Sequence, residues 1–135
     1  MMKGQVSVEF LVIYGFVLLM FIPLIIIFYD QTGDAQDALH NNQIRNIVNK
    51  IVDKSETIYY YSNPSKTTLK AFFPDHIEDI QINTREIRFY YRNSQNTLNE
   101  IVGTTLVNIS GNLSIKPGTH YIVIESMGDE VSITE

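Results

Sequence analysis

By residue type, the side chains best suited to acid–base or metal chemistry near neutral pH are His40, His76 and His120. None stands at a metal-ligand spacing from another. Asp75, Glu78 and Asp79 are the only carboxylates near His76, and they lack the glycine and ligand spacing of a calcium loop. The pattern predicts histidines in solvated loops or at strand ends, and no metal site. No serine sits in a hydrolase context and no glycine-rich phosphate loop occurs. The chain has no cysteine, which excludes disulfides, thiolate nucleophiles, Cys-ligated zinc, iron–sulfur clusters and a lipidated cysteine. No catalytic residues and no cofactor are expected, and the chain reads as a non-enzyme.

Two further sets of residues could carry an interaction. Arg88, Tyr90 and Arg92, with Arg85 nearby, form a basic aromatic strand face of the kind that stacks on bases and holds phosphates. The alternative is a solvated sheet face with cation–π packing. A net charge of −5 favours that alternative and argues against nucleic acid. Asn108-Ile109-Ser110 and Asn112-Leu113-Ser114 are N-glycosylation sequons. Chance alone predicts about 1.5 such triplets at this composition, so exposure must decide their meaning. Gly111 between them suggests an accessible turn.

One carboxylate is out of place, and it leads to the elements. Only Lys3 and Glu9 carry charge before Asp30. Phe10 to Tyr29 are 20 consecutive uncharged residues, FLVIYGFVLLMFIPLIIIFY. As a helix, 20 residues rise about 30 Å, the hydrocarbon thickness of a bilayer. The mean hydropathy of −0.02 is therefore the average of a membrane span and a polar remainder. Lys3 precedes the run, whereas Asp30, Asp34 and Asp37 follow it and the next basic residue is Arg45. That asymmetry keeps the N-terminus cytoplasmic and sends residues 30–135 outside. The run is longer than a cleaved signal's apolar core and no small-x-small site follows it. Glu9 lies at its cytoplasmic edge. A carboxylate in mid-membrane costs about 2.5–3.5 kcal/mol, and less near an interface.

The context of Glu9 is Lys3-Gly4-Gln5-Val6-Ser7-Val8-Glu9-Phe10-Leu11. A short basic leader ends in glycine, a lone acid follows five residues later, and then the apolar helix begins. This resembles the class III signal of type IV prepilins, in particular the archaeal pilin variety with its Gln-x-Ser-x-Glu start. The resemblance covers about ten residues plus the long helix. It implies that prepilin peptidase, recognising the leader with Lys3, cuts between Gly4 and Gln5 and leaves the helix in place. Gln5 then carries a new α-amino group. The resemblance implies that Glu9 neutralises that cation, from a neighbouring subunit or from within the same helix, since a paired charge is tolerable in a low-dielectric core where an unpaired one is not. Many bacterial pilins begin with an N-methylated Phe and carry C-terminal disulfides. This chain has Gln5 and no cysteine, which points to an archaeal source.

The organisation expected is a leader at 1–4, a hydrophobic transmembrane or filament-core helix at 5–29, an amphipathic extension at 30–61 and a β-rich extracellular head at 62–135. Pro23 removes the hydrogen bond to the Leu19 carbonyl and should kink the helix, and Gly15 softens it. Leu39, Ile44, Ile47, Val48, Ile51, Val52 and Ile58 recur at three and four residues, so the helix is expected to reach about Tyr59, with a disruption conceivable at Thr32-Gly33-Asp34. Residues 6–58 as one helix would be about 80 Å long. Tyr59-Tyr60-Tyr61 is read as packing where helix meets sheet, and Asn63-Pro64-Ser65 as the stop.

Short strands are expected at 67–73, 77–83, 86–92, 98–102, 105–109, 113–115, 121–125 and 131–134, separated in part by Gly103, Gly111, Pro117-Gly118 and Gly128. The fold class is α+β: a long N-terminal helix, then a small antiparallel sheet or sandwich, pilin-like. The function that the resemblance implies is a structural subunit of an archaeal type IV pilus-like surface filament for adhesion. Its partners would be other copies of itself, prepilin peptidase, an assembly platform and ATPase, and the membrane before assembly. The alternatives are a minor pilin or secretion pseudopilin, and an unprocessed single-span protein whose outer domain binds a ligand or partner.

Overall fold

The computed structural model describes residues 3–61 and 64–135, with side chains from Ser7 onward. Helix α1 runs from Lys3 to Tyr60, and the chain divides into two units at Gln36/Asp37. In the first unit α1 is apolar on all sides from Phe10 to Tyr29 and passes through Gly15 and Pro23 without a break in the helix. The Thr32-Gly33-Asp34 stretch is helical too. Thr32 Oγ1 donates to the Phe28 carbonyl at 2.8 Å, a bond one turn back that satisfies the hydroxyl within the helix.

In the second unit the remainder of α1 packs with seven strands: β1 (Lys66–Phe73), β2 (Ile77–Asn83), β3 (Glu86–Arg92), β4 (Leu98–Thr104), β5 (Ile109–Gly111), β6 (Gly118–Ser126) and β7 (Val131–Thr134). They form two sheets, one ordered β1-β6-β7-β5 and the other β2-β3-β4. A backbone bond from Ile109 N in β5 to the Thr84 carbonyl in the β2–β3 turn (2.8 Å) ties the two sheets together, and one from Thr105 N to the Arg85 carbonyl (2.9 Å) extends the β3–β4 ladder.

The core follows from periodicity. On α1, Ile44, Ile47, Val48, Ile51 and Ile58 are buried at helical spacing, and both sheets answer them with inward residues at period two. Phe73, Ile87, Phe89, Ile122, Ile124, Val131 and Ile133 are fully covered. Each such side chain contributes about 1.5–3 kcal/mol relative to exposure. Phe73 of one sheet meets Phe89 of the other edge-on, with centroids 5.7 Å apart.

Several expectations are corrected. The head is not wholly antiparallel, because β5 pairs parallel with β7. Residues 105–108 and 113–115 are not strands. Leu113 is buried, but it plugs the core from a loop whose Asn112 N–H donates to the Ile133 carbonyl. Gly103 does not separate strands. It lies inside β4, where a Cβ would stand 2.3 Å from Val48 Cγ1 on α1. Leu39 is 62% exposed and drops out of the apolar stripe. Tyr59 packs against the core, whereas Tyr60 and Tyr61 stay exposed. The helix ends at Tyr60, while Asn63 of the expected stop lies outside the described residues.

Candidate functional site

The first unit offers one surface, and it is unusual for its lack of cover. From Val8 to Tyr29 every large apolar side chain is between 42% and 73% exposed. A helix apolar all round with nothing against it must be solvated by lipid or by other helices. It is long and apolar enough to cross a membrane. The helical phase explains the exposure: residues such as Leu18, Leu19, Met20 and Phe21 point in four directions, so no single face could cover them. Near its start the Phe10 and Tyr14 rings meet one turn apart in a tilted pair, with centroids at 4.4 Å and 49° between their planes. Glu9 is exposed just before this pair. The backbone at Lys3, Gly4 and Gln5 is helical, and their side chains lie outside the described residues.

In the second unit, polar contacts fasten α1 to the sheets at three levels. Asp37 accepts from the Ser94 amide (2.8 Å) and hydroxyl (2.7 Å), which pins the β3–β4 turn to the helix. Those two bonds hold the Asp37 carboxyl below its usual value. Asn41 donates to the Tyr91 hydroxyl at 3.1 Å, and Glu56 accepts from the Leu106 amide at 3.0 Å.

On the basic strand face, two of the three arginines pair with carboxylates. Arg88 donates twice to Glu86, at 2.7 and 3.1 Å, and lies 3.8 Å from Glu100 across the β3–β4 pair. Hydrogen bonding to Glu86, and next to Tyr90, raises Arg88 above its ordinary value. Arg92 donates to Glu78 at 2.9 Å, and Arg85 donates to Asn108 Oδ1 at 3.3 Å. Arg88 and Arg92 are thus paired with carboxylates on the same surface, whereas Arg85 meets only a neutral amide oxygen.

The histidines do not converge into one site. The His40 and His76 rings lie 6.3 Å apart, but among the described residues no group of three His, Asp or Glu side chains could hold a metal. Asp79 is turned to the Ile80 amide and Gln81, and Glu78 to Arg92. His120 departs from the expectation of a solvated position. It is 5% exposed, stacked on Phe73, with Nδ1 2.7 Å from Glu135 Oε1 and Nε2 2.6 Å from the Lys116 carbonyl. It acts as a structural cross-brace from β6 to two other segments.

The two sequons are unequal. Asn108 is half-buried, its Oδ1 engaged by Arg85 and its carbonyl by the Val131 amide. Asn112 is exposed just after β5. Gly111 is a strand residue at φ +145°, so close to β7 that a Cβ would overlap the Ile133 carbonyl.

Comparison with protein-family models, with curated proteins and with solved structures gives no match, so the reading of this chain rests on its own residues and geometry.

Proposed function

We propose that the chain is a structural subunit of an archaeal type IV pilus-like surface filament, with no catalytic role. The observation that carries this reading is the uncovered apolar helix preceded by Gly4-Gln5-Val6-Ser7-Val8-Glu9. In the precursor, lipid solvates Phe10–Tyr29, with the N-terminus cytoplasmic and the head outside. Prepilin peptidase cuts between Gly4 and Gln5. The platform and ATPase then move the helix from lipid into a bundle of identical helices, where the same apolar faces are covered by neighbours. Glu9 compensates the α-amino group of Gln5 during that transfer, since leaving either charge unpaired in an apolar core would be costly. The helix makes the polymer, and the β head is displayed on its surface.

N-terminal sequencing of the protein from its membrane or filament fraction tests this. A start at Gln5 is expected. A start at Met1 or Met2 would sink processing, and a start near Asp30 would indicate ordinary secretion. The second reading, an unprocessed single-span protein, predicts the intact N-terminus and no dependence of assembly on Glu9.

A further inference from the structure

The head carries a basic seam where helix meets sheet. β1 is an edge strand of its sheet, and α1 runs alongside it. Two clefts follow one another along this junction, of about 200 and 330 Å³. The helix side is a polar stripe that includes Asn46, Lys50 and Lys54, next to the buried apolar stripe. The strand side contributes Lys66 and Lys70. Four of the six lysines thus line one seam of an acidic protein. Lys66 is bridged to Glu125 at 3.5 Å. Among the described residues no carboxylate lies within ion-pair distance of Lys50, Lys54 or Lys70, in contrast to Arg88 and Arg92.

Lys50 and Lys54 are four residues apart and exposed, so two like charges share one helix face. The first unit holds the mirror arrangement. Asp30 and Asp34 are also four apart, exposed, and in no ion pair among the described residues. Each pair is mildly unfavourable by itself, because like charges at this spacing repel. Set against one another, the two pairs are opposite in sign and equal in number and spacing.

We infer that in the assembled polymer the lysine seam of one copy receives the Asp30/Asp34 face of a second copy. The contact is heterologous, using two different patches of the same chain, and therefore propagates instead of closing. It rests on the homopolymer reading above. It adds to that reading a determinant of register: apolar helices slide with little preference, whereas two charge pairs fix one alignment.

The test uses the chain processed to Gln5 in cells that carry the prepilin peptidase, platform and ATPase, with sheared filaments read by pelleting and negative-stain microscopy. Lys50→Glu/Lys54→Glu and Asp30→Lys/Asp34→Lys should each lower filament yield about tenfold or more, and the four-fold swap should restore it. All four side chains involved are solvent-exposed, and an unchanged β-sheet circular dichroism signal confirms that the head still folds. Because the chain has no cysteine, a doubly substituted Asp34→Cys/Lys50→Cys chain should give an oxidised ladder of dimers and higher species in filaments. Filaments from both reversed chains at wild-type yield, or filaments without the ladder, would overturn the seam contact and leave the homopolymer standing. A wild-type chain that stays monomeric would overturn both. If the lysine-reversed chain assembles normally but loses retention on heparin, the seam serves a polyanion and the inference is wrong.

Discussion

Gly103→Ala probes how closely α1 and the β2-β3-β4 sheet approach. The added Cβ would lie 2.3 Å from Val48 Cγ1, 3.1 Å from Val52 Cγ2 and 3.2 Å from Ile87 Cγ2. Carbon–carbon contacts are optimal near 3.5–4.0 Å, so helix and strand must part by about 1 Å. Val48 cannot swing clear, because a β-branched residue in a helix has essentially one rotamer and this one is 1% exposed. Gly103 is not among the positive-φ residues, so the backbone itself accepts alanine. Overpacking of this kind costs about 1–3 kcal/mol. A smaller gain of about 0.4–1 kcal/mol comes from the stiffer unfolded chain, which leaves a net loss of about 1–2 kcal/mol. For a head of this size that lowers Tm by about 5–15 °C. The assay is thermal unfolding of the full-length chain in detergent, followed by tyrosine near-ultraviolet circular dichroism, to which six of the eight tyrosines contribute from the second unit. Val48→Ala alone should cost about 2 kcal/mol through the cavity it leaves. The double variant should be at least about 1 kcal/mol more stable than the two losses combined, because the new methyl fills the vacated space. A neutral Gly103→Ala, or strict additivity in the double variant, would refute the packing described for this contact.

Glu9→Ala should leave membrane insertion intact and lower filament yield about tenfold or more, measured by fractionating membranes and sheared filaments; normal filaments would remove the charge-pairing role of Glu9. The Asp37–Ser94 latch should be pH-dependent with a definite sign. Because its carboxyl is held below the ordinary 3.8, the latch contributes fully above that value and is lost as pH falls through the lower, folded-state value. Amide exchange at Ser94 should therefore accelerate only in acid, and Asp37→Asn should abolish that dependence. If the chain is N-glycosylated, Asn112→Gln should remove the added mass while Asn108→Gln leaves it unchanged, as read by intact-mass spectrometry.

The elements most legible in the sequence were those whose signal is local. The apolar run, the stripe from Ile44 to Ile58 and the strands 77–83, 86–92 and 131–134 all follow from periodicity and turn residues. What local reasoning missed was fixed by distant partners. Ile109–Gly111 is a strand only because β7 lies beside it, and a parallel pairing leaves no hairpin signature. Gly103 looked like punctuation because nothing in its neighbours reveals a helix crossing above it. His120 was within reach: the inward alternation of Ile122 and Ile124, extended one step back, buries it. Glu9 stood out through its setting alone. The lysine seam could not be read at all, since its two sides are separated in sequence and meet only through the packing of α1 beside β1.

The strand order has a consequence for the timing of biogenesis. β7 sits between β6 and β5, yet it is the last strand in the chain. β5 is synthesised about twenty residues earlier and has no partner in its sheet until Val131–Thr134 arrives. The apolar stripe of α1 waits longer still. This sheet is therefore expected to stay open until Val131–Thr134 has been made and slots between β6 and β5.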